Sequence, residues 1–190
     1  MKKTIVLTIM ICSLFVTKAF SQVEIGDATL PNSVLFNEET LILNGAGLRE
    51  KFWFDLYACG LYLSEKSTSG VDIVNADETM SVRLHILSSL VSKKKLIDAI
   101  KKGIDKTNKT SDVVQFKSKI DVFLSLIKND IKINNVYDLV YYKGEGLTFF
   151  ENGVNVGQVE GLAFKKILFN VWLAETPVDS GLKKEILGVD

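Results

Sequence analysis

Residues 43–64 read LNGAGLREKFWFDLYACGLYLS, and this stretch decides the fold. Two glycines, Gly45 and Gly47, and a single arginine, Arg49, precede a segment that is apolar at nearly every position. A guanidinium keeps its charge in a protein. An arginine at the entrance of such a segment therefore either lies on the surface or meets an anion inside the fold.

The segments on either side of this arginine are predicted to be strands. Residues 40–47 form a strand that ends in a glycine turn, and the turn carries the arginine. Residues 51–63 have aromatic side chains on both faces, which is typical of an interior strand. Alternation places four side chains on one face of this strand: Trp53, Tyr57, Cys59 and Leu61.

The remaining periodicity predicts an α+β fold. It indicates a strand at residues 79–87, a helix at 92–105 and a second helix that ends near residue 128. A three-strand meander that turns at Asn152-Gly153 follows, and then a helix at 162–174 and another that begins near residue 179. Strands and helices that cluster along the chain, rather than alternate, favour one antiparallel sheet with helices on one face. We therefore expect a single domain over residues 22–190.

Residues 1–21 have the pattern of a secretory signal peptide. A basic start is followed by an apolar segment at residues 4–16 and by a small-x-small cleavage site that ends at Ser21. The apolar segment is too short to remain as a membrane span. We expect an exported protein without a stable membrane anchor, and the style of the leader favours a bacterial periplasm.

Several kinds of chemistry are not expected. The chain has 23 basic and 23 acidic residues and no basic stripe with interleaved aromatic residues, so no nucleic-acid partner is predicted. With one histidine, His85, and one cysteine outside the leader, Cys59, no metal site is predicted. No phosphate-binding or dinucleotide motif is present, so no cofactor is expected. We interpret Cys59 as a packing residue and His85 as a polar-face residue of its strand.

Three segments together resemble the bacterial chalcone-isomerase-like proteins. They are residues 43–63, residues 90–104 (LVSKKKLIDAIKKGI) and residues 146–188. The most specific parts are the Gly-x-Gly-x-Arg motif before an aromatic strand, and the late helix with its Phe, Trp-Leu and Pro. The resemblance implies an open-faced β-sandwich, in which a large antiparallel sheet packs against a layer of helices with a ligand cleft between the layers.

The family that the chain resembles has two functional types. Plant chalcone isomerases close a chalcone into a flavanone, whereas relatives in plastids bind long-chain fatty acids in the same cleft without catalysis. In both types the arginine that matches Arg49 holds an anion, and its fork of donors suits a carboxylate. At the position of Tyr57 the enzymes have a threonine and the binders a tyrosine. Val91 and Asp98 stand where the enzymes have a catalytic tyrosine and asparagine.

The resemblance thus implies that Arg49 and Tyr57 bind a fatty acid or a similar amphipathic anion without catalysis. Two alternatives remain open. In one, the protein is an isomerase or lyase for an unsaturated carbonyl compound: Arg49 stabilises the oxyanion, Tyr57 donates a proton and His85 is the other candidate base. In the other, aromatic side chains fill the cleft and the protein acts through a partner. Those side chains are Phe52, Trp53, Phe54, Phe149, Phe150 and Trp172.

Arg49 also has a purely structural interpretation, in which it bonds backbone carbonyls and fixes the glycine turn. A void in front of its guanidinium favours a ligand.

Overall fold

The computed structural model describes residues 22–189, and the predicted leader at residues 1–21 lies outside them. The strands are β1 (Gln22–Ile25), β2 (Ala28–Pro31), β3 (Ser33–Phe36), β4 (Glu39–Lys51), β5 (Phe54–Leu63), β6 (Met80–Ile86), β7 (Val136–Tyr142), β8 (Gly146–Glu151) and β9 (Val154–Glu160). The helices are α1 (Gly70–Asn75), α2 (Lys93–Thr107), α3 (Thr110–Gln115), α4 (Lys117–Ser125), α5 (Leu162–Leu173) and α6 (Ser180–Leu187).

Seven strands, β3 to β9, form one curled antiparallel sheet in chain order, and β1 and β2 pair as a separate hairpin. The helices pack against one face of the large sheet and enclose the main core with it. The sequence of β6 explains this face, since every second residue is apolar and Met80, Val82, Leu84 and Ile86 are all buried. The predicted α+β fold is therefore confirmed.

The predicted glycine turn at residues 45–47 is wrong, because β4 continues through both glycines and includes Arg49. A Cβ on Gly45 would lie 2.3 Å from the backbone oxygen of Glu185 in α6, and one on Gly47 would lie 2.6 Å from the Cβ of Glu185. The glycines let α6 lie directly on the strand. The Leu48 N–H also donates to the Glu185 carboxylate at 3.1 Å, which ties the two elements together.

The predicted start of the aromatic strand at residue 51 is also wrong, since the chain turns at Phe52 and Trp53 between β4 and β5. Both residues have positive φ, 50° and 69°. Trp53 is fully exposed, so it does not share the buried face of Tyr57 and Cys59. Cys59 is buried as predicted, and burial raises the pKa of its thiol.

The helix predicted to end near residue 128 is two helices, α3 and α4. The backbone leaves helical geometry at Phe116, with φ −95° and ψ 9°. The break lets Phe116 pack against the main core, whereas α3 itself buries no residue. The other predicted elements occur within a few residues of their expected ends, including the helix capped by Ser92 and the Asn152-Gly153 turn.

Candidate functional site

Arg49 and Tyr57 are directly opposite each other on neighbouring strands. The register of β4 and β5 pairs Arg49 with Tyr57 and Gly47 with Cys59. Side chains of directly opposed residues lie on the same face of a sheet, and here that face is covered by the helices. The two residues that the sequence singled out as a ligand site are therefore neighbours.

A cleft of about 670 Å³ lies in front of this pair. Its walls are the sheet at β4 to β6, helix α2, the C-terminal part of α5 and the connection to α6. The apolar lining includes Leu56, Leu84, Leu96, Ile100, Val171 and Val178. A volume of this size lies within the range of small-molecule sites. Of the six aromatic residues that could have filled the cleft, three line it without closing it, and they are Phe52, Phe54 and Trp172. Trp53 is fully exposed, Phe149 stacks on Tyr137 in the core, and Phe150 packs beside Phe36.

The guanidinium of Arg49 already has an anionic partner. Its Nη1 lies 2.5 Å from Oδ2 of Asp179 and donates at 3.1 Å to the backbone carbonyl of Glu50. Both charged side chains remain about a quarter exposed. The other carboxylate oxygen of Asp179 accepts from the N–H of Leu182 at the start of α6. In the described contacts of Arg49, Nε and Nη2 have no hydrogen bond, so donors of the fork are left for a second anion.

Tyr57 is held in its neutral form. Removal of its phenol from water raises the pKa well above the ordinary value, and Cys59 acts in the same direction. The indole of Trp172 and the charge of Arg49 oppose this rise. A neutral phenol can donate a hydrogen bond but is a poor base.

The indole N–H of Trp172 is a further hydrogen-bond donor in the cleft that Arg49 and Tyr57 line. It is 2% exposed and lines the cleft, and its indole nitrogen has no hydrogen-bond partner among the described residues. The indole lies near enough to Tyr57 to affect the phenol's pKa, but the geometry falls outside that of a hydrogen bond. A buried N–H without an acceptor is costly and unusual in a native protein.

The two further positions from the family resemblance lie at the cleft, whereas the alternative base His85 does not. Val91 and Asp98 line the cleft together with Tyr57. His85 does not line it, because Leu84, the preceding residue of β6, does so and adjacent strand residues point to opposite faces. The nearest partner of the His85 ring is Asn134, at 3.4 Å. The structure thus brings Arg49 and Tyr57 together and leaves His85 apart.

Asp179 and Trp172 are the site residues that sequence reasoning missed. Asp179 had a detectable signal only as a helix cap, since it precedes a helix and follows Pro177. Its contact with Arg49 joins residues 130 positions apart. Trp172 is predicted only as an aromatic side chain that could fill the cleft, and nothing in the sequence indicates an unpaired N–H.

The described part of the chain has no cluster of His, Cys, Asp and Glu that could hold a metal ion. Within residues 22–189, no helix is long and apolar enough to cross a membrane.

Comparisons with known proteins agree with this architecture. A family model described as chalcone isomerase-like matches residues 22–188. The crystal structure of AtFAP1, a fatty-acid binding protein of Arabidopsis thaliana, is similar with a TM-score of 0.65 and 21% identity, over 84% of this chain and 91% of that chain. At this identity the similarity shows the fold alone. No curated protein sequence gives a significant match.

Proposed function

The chain belongs to the chalcone isomerase-like family, and on that premise we propose that it binds a fatty acid or similar amphipathic carboxylate without transforming it. The carboxylate binds Arg49 and Tyr57, and the apolar chain lies along the cleft between the sheet and α2. The similar fold of a fatty-acid binding protein supports this proposal.

The observation that carries the proposal is the presence of three donors, two from the sheet and one from α5, in one apolar cleft. Arg49 offers the unoccupied part of its guanidinium, Tyr57 a neutral hydroxyl and Trp172 an unpaired N–H. A carboxylate has two oxygens and about four acceptor positions, which matches this set. An apolar pocket with few convergent polar groups is the usual form of a site for an apolar acid.

The carboxylate of Asp179 competes with the carboxylate of a ligand for Arg49. In the free protein its carboxylate occupies Nη1 of Arg49 and neutralises this partly buried cation. An incoming carboxylate binds the remaining donors beside Asp179 or displaces it from the guanidinium. Because a partly buried charge without a partner is destabilising, the internal ion pair also stabilises the empty cleft.

The same geometry favours binding over isomerisation. Proton transfer at neutral pH needs a group whose pKa lies near the working pH, and the pKa of Tyr57 is raised away from that range. His85 lies on the other face of the sheet. Val91, at the position of the enzymes' catalytic tyrosine, cannot exchange a proton.

Binding of hexadecanoic acid, measured by native mass spectrometry and calorimetry, tests the proposal. We expect one acyl acid per chain and a loss of affinity of at least about tenfold in Arg49→Gln, since a charge-assisted pair with the ligand is removed. Lys66→Gln also removes one positive charge, but at an exposed position outside the cleft, and is the matched control. Equal affinities of both variants, or turnover of an unsaturated carbonyl substrate that depends on Arg49, would contradict the proposal.

The proposal includes export. Cleavage after Ser21 would release residues 22–190 into the periplasm of a bacterial host. N-terminal sequencing of the protein from a periplasmic extract checks this, and an intact N-terminus in the cytoplasmic fraction would contradict it.

A further inference from the structure

The turn between β4 and β5 has an unusual sequence for its geometry. Phe52 and Trp53 are its two central residues, and both have positive φ. Two-residue turns of this kind favour Asn-Gly, which the chain uses between β8 and β9, at Asn152 and Gly153 with φ of 50° and 79°. Large aromatic residues in the left-handed region are outliers, and such outliers indicate a functional constraint.

The aromatic side chains at this turn are not held by packing in the core. Trp53 is 100% exposed, Phe52 is 79% exposed and Phe54 is 56% exposed. Leu90, before α2, is 42% exposed and lines the same cleft as Phe52 and Phe54. Apolar residues that cluster on the surface mark an interaction site more often than single ones do.

The apolar cluster is bordered by positive charge. The exposed lysines Lys51, Lys95 and Lys102 line the cleft beside it, and Asp98 is the only acidic residue of the described lining. The acidic Glu50 is exposed next to the turn, but the carboxylate of Asp55 lies near Gly26 on the other side of the sheet. Residues 22–190 contain 20 basic and 23 acidic residues, so the basic character of this lining differs from that of the domain as a whole.

We propose that this docking surface, formed by Phe52, Trp53, Phe54, Leu90, Lys51, Lys95 and Lys102, binds reversibly to an anionic phospholipid bilayer. Trp53 and Phe52 insert at the level of the headgroups, where tryptophan is enriched in membrane proteins. The lysines contact lipid phosphates. Apolar insertion combined with basic charge is the physical basis of interfacial binding without a spanning helix.

The docking surface lies at the cleft, where it can bring the cleft to the bilayer. Phe52, Phe54 and Leu90 belong both to this surface and to the lining of the cleft. A protein docked in this way presents its cleft to the bilayer, so that an acyl chain can pass between them along a continuous apolar path. The bilayer contact itself does not depend on the ligand proposed above.

Sedimentation of residues 22–190, which contain the whole described domain, with large vesicles tests the proposal. The vesicles contain phosphatidylcholine with or without phosphatidylglycerol. We expect binding to the anionic vesicles, weakened by salt, and a blue shift of tryptophan fluorescence. The shift reports on Trp53, because the chain has two tryptophans and Trp172 is already buried.

Trp53→Gly is the decisive variant, because glycine accepts the positive φ of this position and the fold is retained. We expect it to weaken vesicle binding at least about tenfold. Val154→Ser, which removes an exposed apolar residue beside the other turn, is the control and should bind like the unmodified protein. Lys95→Gln with Lys102→Gln should lose the preference for anionic vesicles, whereas Lys66→Gln with Lys184→Gln should keep it.

Three outcomes would overturn the proposal. They are failure of the unmodified protein to bind anionic vesicles, equal binding by Trp53→Gly, and a concentration-dependent dimer that Trp53→Gly abolishes. The dimer would assign the surface to a second copy of the chain. Trp53 does not line the cleft, so Trp53→Gly should bind a soluble acyl acid normally. Failure of docking and failure of ligand binding are therefore measured separately.

Discussion

The guanidinium of Arg49 and the carboxylate of Asp179 meet at 2.5 Å, across 130 residues of sequence. This contact joins the second strand of the sheet to the N-terminal cap of the last helix. It also means that the residue proposed to bind the ligand has an internal anion in the free protein. On that proposal, the affinity of the cleft for a carboxylate is the difference between two similar interactions.

Replacing Asp179 by asparagine should strengthen ligand binding. Asparagine can still accept from the N–H of Leu182 and cap α6, but it no longer competes as an anion for Arg49. We expect affinity for hexadecanoic acid to rise about fivefold, or about 1 kcal/mol, by calorimetry. Unfolding in urea should show a loss of stability, since the partly buried charge of Arg49 is left unpaired in the empty cleft. Weaker ligand binding by this variant would mean that Asp179 helps to hold the ligand.

Replacing Trp172 by phenylalanine should separate ligand binding from stability. The substitution removes an N–H that has no partner in the described structure, so the free protein should lose no more than about 1 kcal/mol. Affinity for the acyl acid should fall about fivefold, because a hydrogen bond to the carboxylate is lost. Tyr137→Phe removes another unpaired polar atom, outside the cleft, and should leave affinity unchanged. Equal affinity in both variants would exclude Trp172 from the site.

Ligand affinity should be constant between about pH 6 and pH 9. Arg49 stays charged, and burial raises the pKa of Tyr57 above this window, so neither residue changes its protonation state there. A carboxylic acid with a pKa near ~4.3, like that of glutamate, is already ionised. Calorimetry across the window checks this, with Tyr57→Phe expected to bind about fivefold more weakly at every pH. A step in affinity near neutral pH would indicate a titrating group that the site lacks.

Lys165 should make stability rise with pH. Its fully buried amine donates to the carbonyls of Ile73, Val74 and Ala76 at the end of α1, and burial lowers its pKa to about 8 from 10.5. Between these values the folded state has released a proton that the unfolded state retains, so stability increases with pH.

Urea denaturation of the unmodified protein and of Lys165→Met measures this effect. From about pH 8 to pH 10, the stability of the unmodified protein should rise relative to the variant by on the order of 1–2 kcal/mol. Lys184→Met, at an exposed position, is the control and should follow the unmodified protein. A difference between Lys165→Met and the unmodified protein that does not vary with pH would show that the amine titrates normally.

Gly45→Ala should destabilise the fold through α6. The new Cβ would lie 2.3 Å from a backbone oxygen of Glu185, and the helix must move to accommodate it. We expect a loss of at least about 2 kcal/mol in thermal or urea unfolding. Gly181→Ala, where the nearest atom is 3.4 Å away, should change stability by less than about 0.5 kcal/mol. Similar effects of the two substitutions would contradict the close contact between α6 and β4.

Local patterns predicted most of the fold. The helix predicted at residues 92–105 is α2, which Ser92 caps, and Asn152-Gly153 forms the expected turn, because caps and tight turns depend on neighbouring residues alone. The prediction of a turn at the glycines before Arg49 is wrong, because these residues are glycine to make room for α6, which lies about 140 residues further along the chain. A glycine that makes room for a distant element has the same local signal as a glycine in a turn.

The candidate site was predictable in part. The family resemblance selected Arg49 and Tyr57, and the register of β4 and β5 places them side by side. Alternation within one strand could not show that Trp53 leaves the sheet, because its conformation depends on the turn. The ion pair with Asp179 requires the packing of α6 on β4, which no sequence periodicity describes.

Carbon-13 NMR can show whether the carboxylate of an acyl ligand binds at Arg49 in the cleft. Hexadecanoic acid labelled at the carboxyl carbon is bound to the protein, and the chemical shift of that carbon is titrated. We expect a bound carboxyl whose pKa lies below that of the same ligand bound to Arg49→Gln, because the guanidinium favours the ionised form. Identical titrations in the two proteins, or no bound signal in the unmodified protein, would contradict binding at Arg49.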